Sequence, residues 1–402
     1  MKLYLESYGC TLSKSETALY VNKLLSEGWE LTHSPHEADM SIVGTCVVIK
    51  STEDRMVRRI SDLSTVSKVK VLGCLSVMGT ESLQTDSVEV VRPSEFRKFY
   101  EGKIDDVQVS EPNLWEGIPI NQGCLGSCNF CISRIARGRL VSRRPEKIVN
   151  QVKMQLSRNV REVKVTSLDT AAYGRDLGIN LVSLLDAILH IDDFFMLRIG
   201  MMEPKNTREL VPELFKPMHD PRVYKFLHIP VQSGSNSVLN DMNREYTVED
   251  FVSIVDMYRE EFLQGSLSTD VIVGYPGEDE GSFEQTYSLM EKIRPDIMNI
   301  TRFSPRPYTK DFGRKTPSSN AVKRWSSSIS ELHRKITEEK LFSLIGSVHE
   351  GMVVEHGKNG TSVIRDTNYR PIVVSGILNL YSMVRAEIVD AGKTYLVGRV
   401  LS

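Results

Sequence analysis

The chain contains no apolar run long enough to cross a bilayer, and its opening residues MKLYLESYGC lack the apolar stretch of a secretory leader. No membrane association is expected, and a cytoplasmic location is. Low-complexity tracts and sustained internal repeats are missing too, so neither a solenoid nor a disordered tail organises the sequence. Charge of one sign is not in excess: 50 Lys and Arg stand against 52 Asp and Glu, for a formal net charge of -2. Any nucleic-acid surface must then be a local basic patch and not a field of the whole molecule. Cysteine is scarce as well. All six cysteines fall in two sets of three: Cys10, Cys46 and Cys74 spread over the first part of the chain, and Cys124, Cys128 and Cys131 in one short stretch. In a reducing compartment such sets point to ligands before disulfides. What remains is ordinary for a soluble globular protein: 41% hydrophobic and 25% charged residues over 402 positions, enough for about two or three domains.

Three thiolates are one short of a closed site. Structural zinc takes four protein ligands, whereas an iron-sulfur cluster held by three leaves one iron open to a small molecule. The spacing Cys-x3-Cys-x2-Cys puts three thiolates in one tight loop, with Gly123 and Gly126 letting the backbone wrap a bulky inorganic core. The bland alternative is six separate buried or disulfide-forming cysteines.

The fold class is α/β. Strand-like MKLYLES leads to Cys10, MSIV to Cys46 and VKVL to Cys74. Between them, Ala18, Val21 and Leu25 recur at helical spacing before Gly28, and Ser51 to Asp54 resembles a capping box ahead of Met56, Ile60 and Leu63. An open parallel βαβ sheet follows, and such sheets collect ligands beyond the carboxyl ends of their strands, so distant cysteines can share one rim. Six further candidate strands, Ile118 to Gln122, Glu162 to Ser167, Phe195 to Gly200, Tyr224 to Ile229, Leu267 to Val273 and Ile297 to Phe303, alternate with helical patterns. Pro145, Thr247 to Asp250 and Ser282 to Gln285 mark helix starts. This is the pattern of a partial (β/α)6 barrel, with the Cys124 loop at its C-terminal mouth. After an amphipathic stretch from Ala321 to Ile345, five short strands suggest a small antiparallel β-barrel. Its Lys358, Arg365, Arg370, Arg385, Lys393 and Arg399 are compatible with RNA binding and equally with a solvated surface.

The loop CLGSCNFC, with Phe130 before the last cysteine, resembles the cluster loop of radical S-adenosylmethionine (SAM) enzymes. The whole chain resembles their methylthiotransferase family, and within it the archaeal and eukaryotic-type members acting on N6-threonylcarbamoyladenosine. The matching landmarks are Tyr8-Gly9-Cys10, Thr45-Cys46, Gly73-Cys74, Arg137-Gly138, Ser142-Arg143, Asp169-Thr170, the run His228 to Ser235, Met242-Asn243-Arg244, the run Asp270 to Glu278, and Ser304-Pro305-Arg306-Pro307. The resemblance implies an N-terminal methylthiotransferase domain over 1–110, a radical SAM core over 111–340 and a TRAM domain over 341–402. It also implies two 4Fe-4S clusters, one on Cys124, Cys128 and Cys131 that binds SAM, and an auxiliary one on Cys10, Cys46 and Cys74 that handles sulfur.

By the same resemblance SAM has two roles, radical source and methyl donor, and a C–H bond of the modified adenosine at tRNA position 37 becomes C–S–CH3. Isopentenyladenosine in tRNA or an aspartate of a ribosomal protein are the alternative substrates, and a non-catalytic, metal-stabilised RNA-binding protein is the alternative of another class. Candidate SAM contacts are Asp169, Arg198, Glu203 and Gln232 near strand ends, with Gly274 and Gly277 where bare backbone approaches adenine or ribose. Arg134, Arg137, Arg139, Arg143 and Arg144 form the densest positive run and are candidates for holding phosphates of the tRNA anticodon stem-loop. His228 reads better as a satisfied barrel histidine than as a catalytic group. No catalytic side chain is assigned, a reducing electron donor is required, and oligomeric state is left open. Ser13, Gly44, Ser133 and Tyr308-Thr309-Lys310-Asp311 depart from the family pattern without removing a ligand.

Overall fold

In the computed structural model, residues 1–78, 83, 85–102 and 117–401 are described. The expected boundary at 110–111 lies outside them. The contacts divide the chain into two units, the first Met1–Asn159, Lys164–Ile191 and Ser304–Gly313, the second Val160–Val163, Asp192–Phe303 and Arg314–Ser402. No helix among the described residues is long and apolar enough to cross a membrane.

The first unit contains a five-stranded sheet of β1 (Lys2–Ser7), β2 (Glu30–Thr32), β3 (Met40–Thr45), β4 (Lys68–Gly73) and β5 (Val88–Val90). Their order is β2-β1-β3-β4-β5, and every pairing is parallel. A parallel sheet is covered on both faces, and Ser41 to Thr45 of β3 are accordingly all buried. Of its crossover helices, Lys50–Ser64 buries Met56, Ile60 and Leu63 as their spacing predicts. It starts at Lys50 after Ile49, one residue ahead of the expected Ser51 cap. The other, Thr11–Ser26, ends where Gly28 takes a φ of +93°, and it buries polar Ser13, Ser15, Glu16 and Asn22 along with its apolar face. Farther along, β6 (Ile118–Pro119) and β7 (Asn121–Gln122) are fully buried. β7 pairs antiparallel with β8 (Val141–Ser142), and β6 pairs in parallel with the C-terminal part of β9 (Glu162–Thr166).

In the second unit come β10 (Met196–Ile199), β11 (Phe226–His228), β12 (Ser266–Val273) and β13 (Ile297–Arg302), so five of the six expected central strands form as single strands, while the expected Ile118 to Gln122 is split at Ile120 into β6 and β7. β11, β12 and β13 are successive parallel neighbours, and a parallel bridge joins Leu197 to Val223. Thr247 caps the helix Val248–Glu261 through a reciprocal box with Asp250, whereas Asp279, not Ser282, caps the helix Glu280–Ile293.

A 24-residue helix, Ser319–Phe342, precedes a closed barrel of β14 (Val348–His356), β15 (Thr361–Asp366), β16 (Pro371–Ser375), β17 (Met383–Ala391) and β18 (Leu396–Val400). Its order is β14-β15-β16-β18-β17, and β16 pairs with β18 in parallel. The expected all-antiparallel barrel is therefore corrected to a mixed one. β18 returns from β17 alongside β16, and the only seam left to close the sheet runs in the same sense. Val353, Ile364, Ile372, Val374, Ala386, Ile388 and Leu396 fill the interior, with Leu341 packed among them.

Candidate functional site

Cys10, Cys46 and Cys74 follow the carboxyl ends of β1, β3 and β4, as the strand pattern predicts. Hydrogen bonds bind their loops together: Ser13 Oγ donates to the Thr45 carbonyl (3.0 Å), the Leu75 N–H donates to Thr45 Oγ1 (3.3 Å), and Thr45 Oγ1 itself donates to the Leu72 carbonyl. The approach is close enough to require glycine. At Gly73 (φ +89°) a Cβ would lie 2.4 Å from the Thr45 carbonyl oxygen, and at Gly9 (φ +97°) it would lie 3.2 Å from Cys46 Cβ. The three thiols influence one another. Burial, with smaller contributions from neighbouring Cys10 and Cys46, pushes the Cys74 thiol up to about 11 against the pull of Arg137. Cys46 is raised by burial and held back by the amides of Val48 and Val47.

The second set lies in the same unit. Its loop is pinned by N–H groups of Cys124 to the Gly138 carbonyl and of Cys131 to the Cys128 carbonyl, both at 3.2 Å. Gly123 (φ +78°) is pressed so closely against residue 139 that a Cβ would meet the Arg139 carbonyl oxygen at 2.1 Å. The Gly126 amide donates to Cys124 Sγ at 3.2 Å. Cys131 is the N-cap of the helix Ile132–Arg137, whose Ile132 and Ala136 join Cys74, Val43 and Val47 in one core.

None of the six cysteines is joined in a disulfide. Among the described residues, no group of three His, Cys, Asp or Glu side chains could hold a single metal ion. A cubane spreads its thiolates wider than one ion does. Three thiols per set, with backbone amides aimed at sulfur, fit a cluster with an open iron better than four-coordinate zinc.

Two members of the arginine run are removed from the expected phosphate set by burial. The Arg137 side chain is fully covered and pairs through Nη1 with Glu16 Oε2 at 2.5 Å. Arg143 is 1% exposed, donates to the Pro119 carbonyl (3.1 Å) and Gln151 Oε1 (2.6 Å), and lies 4.2 Å over the Phe99 ring. Arg139 and Arg144 are exposed and Arg134 is half-buried. Asp169, which is buried, caps the turn Thr170–Ala172 by accepting the Ala171 N–H.

In the second unit Glu203 forms a covered pair with Arg244 at 2.9 Å. Gln232, with φ +69°, donates its N–H to the Asp270 carbonyl. Arg198 lies 5.0 Å over Phe226 and 5.3 Å over Tyr369, and its Nε has no hydrogen-bond partner among the described residues. Gly274 and Gly277 take φ of +82° and +91°. A Cβ would strike Val322 at the first and reach Asp241 at the second, so turn geometry and packing already require both glycines. His228 reaches Asp270 Oδ1 at 3.1 Å, and Asn299 donates to the same oxygen, the arrangement of a satisfied histidine. A cavity of about 260 Å³ in this unit, lined by Asp296, His333, Lys340, Arg365, Tyr369 and Arg370 among others, includes two of the basic barrel residues but none of the expected SAM contacts.

The radical SAM superfamily model matches residues 118–290, and uncharacterized protein family UPF0004 matches 2–92, so each cysteine set falls in a separate match. The chain is 35% identical to a probable threonylcarbamoyladenosine tRNA methylthiotransferase of Pyrococcus abyssi, with 100% of each chain covered. Its identity to the threonylcarbamoyladenosine tRNA methylthiotransferase of Xenopus laevis is 30%, covering 99% of this chain and 77% of that one. The chain belongs to this methylthiotransferase family. Among solved structures, the radical SAM methyltransferase TsrM from Kitasatospora setae, with cobalamin and a [4Fe-4S] cluster bound, has a TM-score of 0.55 at 14% identity. That likeness covers 77% of this chain and 76% of that one, and it concerns the fold alone.

Within the family frame, several residues missed by sequence reasoning stand out. Glu16 accepts from Tyr100 Oη (2.7 Å) and Gln122 Nε2 (3.3 Å) as well as from Arg137, drawing four separated segments together. Its only sequence signal is a charge on the buried side of a helix. Arg306, 4% exposed, pairs with Glu53 on the helix after Cys46. Glu278 is 5% exposed, and burial raises its carboxyl to about 7 although Oε2 accepts the N–H groups of Gly274 and Tyr275.

Proposed function

We propose that this protein is a tRNA methylthiotransferase that converts N6-threonylcarbamoyladenosine at position 37, beside the anticodon, to its 2-methylthio derivative. The observation that carries the reading is the presence in one unit of two sets of three cysteines outside disulfides, one at the rim of a parallel sheet and one in a glycine-bounded loop. The names of full-length relatives supply the substrate. Two iron-sulfur clusters and SAM, when bound, supply the one-electron chemistry that opens a C–H bond and the sulfur and methyl that replace its hydrogen.

The chain's own residues do the holding and shielding. Cys124, Cys128 and Cys131 ligate one cluster while the Gly126 amide donates to the Cys124 sulfur. Cys10, Cys46 and Cys74 ligate the other, with burial keeping water from Cys74. Asp169, Arg198, Glu203, Gln232, Gly274 and Gly277 remain the proposed surroundings of SAM. Exposed Arg139 and Arg144, with Arg134, are the proposed phosphate contacts to the anticodon stem-loop. The functional division is into 1–110, 111–340 and a TRAM-like barrel over 341–402, in a cytoplasmic protein served by a reducing electron donor.

Mass spectrometry of tRNA nucleosides from cells lacking the gene tests the assignment. Loss of 2-methylthio-N6-threonylcarbamoyladenosine is expected. An unchanged nucleoside profile would sink the tRNA reading, and selective loss of the isopentenyl analogue would move the substrate to that base.

A further inference from the structure

We infer that Arg137 donates two N–H groups to the sulfurs of the cluster on Cys10, Cys46 and Cys74, and that this donation raises the reduction potential of that cluster. The inference rests on the reading of those cysteines as cluster ligands. Three observations carry it. Arg137 is completely covered, and among the described residues its Nη1 pairs with Glu16. Nε and Nη2 are buried with no nitrogen or oxygen acceptor among the described residues, and a thiol that interacts with the guanidinium is that of Cys74. The guanidinium is a rigid planar fork, so fixing Nη1 on Glu16 also fixes the directions of the two remaining donors.

The groups within reach of its charge are known. The thiols of Cys74 and Cys10 both act on Arg137, and Cys74 packs in one core with Ile132 and Ala136 of the helix that ends at Arg137. Glu16 offsets the net charge, so what remains for the cluster is directional N–H donation. Adding an electron makes the sulfurs better acceptors, and donors that strengthen on reduction favour the reduced state.

The same helix begins at Cys131. Its six residues rise about 9 Å, so one short rod carries a ligand of one cluster at its start and a donor to the other at its end. Arg137 is thus a positioning and tuning residue for the first cluster, tethered to the loop of the second.

The test uses full-length protein with Cys124, Cys128 and Cys131 each replaced by Ala, reconstituted anaerobically so that only the N-terminal cluster is seen. Iron and sulfide are quantified first, and absence of any cluster would overturn the underlying reading of Cys10, Cys46 and Cys74. With the cluster present, dithionite titration followed by electron paramagnetic resonance compares Arg137 with the charge-neutral pair Glu16→Gln/Arg137→Gln. The expected drop in the reduced-to-oxidised ratio at fixed potential is ten- to hundred-fold, about 60–120 mV for a one-electron couple. Arg137→Lys keeps the charge and loses the fork, so a smaller drop in the same direction is expected, and it serves alone should the double variant fail to fold. Midpoints that coincide with Arg137 in the folded variants would overturn the inference while leaving the cluster assignment standing.

Discussion

Replacing Glu278 with Gln should make stability less sensitive to pH, in a window set by one buried carboxyl. Glu278 is covered, its Oε1 has no partner among the described residues, and burial raises its carboxyl to about 7 from an ordinary value of 4.5. Below pH 4.5 both folded and unfolded chains hold the proton, and the group contributes nothing. As pH rises toward 7 the unfolded chain ionises first, so the folded state loses stability relative to it. The loss reaches about 3 kcal/mol at pH 8, most of which accumulates between pH 5 and pH 8. The Gln carbonyl still accepts from Gly274 and Tyr275, and any change in the hydrogen bonding of the other atom shifts stability by about 1–3 kcal/mol equally at every pH. The constant offset does not matter. Urea unfolding of both proteins at pH 5 and pH 8 should show the variant gaining about 2–3 kcal/mol on wild type across that interval. A stability gap that stays the same at the two pH values would refute the account of Glu278 as a strained, ionising carboxyl.

Gly73→Ala should cut iron content toward that of the Cys10/Cys46/Cys74 triple variant, because its Cβ would meet the Thr45 carbonyl at 2.4 Å in a left-handed backbone; iron per chain after reconstitution measures this. Arg139→Ala and Arg144→Ala should each weaken tRNA binding evenly across sequences and reduce the salt slope by about one unit. Arg143→Ala should instead lower the melting temperature, since it leaves Gln151 and the Pro119 carbonyl without their donor. Thr247→Ala removes a reciprocal helix cap and should cost about 1 kcal/mol in thermal unfolding, with no change in iron content. Arg306→Ala should speed hydrogen exchange of residues 304–313, because the covered pair with Glu53 ties that segment to the helix Lys50–Ser64.

The parts legible from sequence were those written locally. Continuous buried runs such as Ser41 to Thr45 declared parallel strands, and the spacing of Met56, Ile60 and Leu63 declared a helix face. The cysteines could be placed at strand ends for the same reason. Arg137 was misread because its partner Glu16 lies 121 positions away, and a run of arginines looks alike whether it faces solvent or a buried carboxylate. The parallel β16–β18 seam was equally hidden, since alternation fixes which face a strand buries and not the direction of its neighbour. Glu278 stood inside a quoted motif, but only the absence of a partner for Oε1 among the described residues shows that burial is costly there.

The carboxylate of Glu16 has a bearing on modularity. It receives hydrogen bonds from Tyr100, Gln122 and Arg137, two of which come from beyond residue 110. A fragment ending near residue 110 would carry a buried negative charge stripped of its cation, and the complementary fragment would carry the bare arginine. The segment with the dispersed cysteines therefore cannot be exchanged between relatives as a free-standing cassette. It travels with the helix behind Cys131, and the two cysteine sites are inherited as one piece.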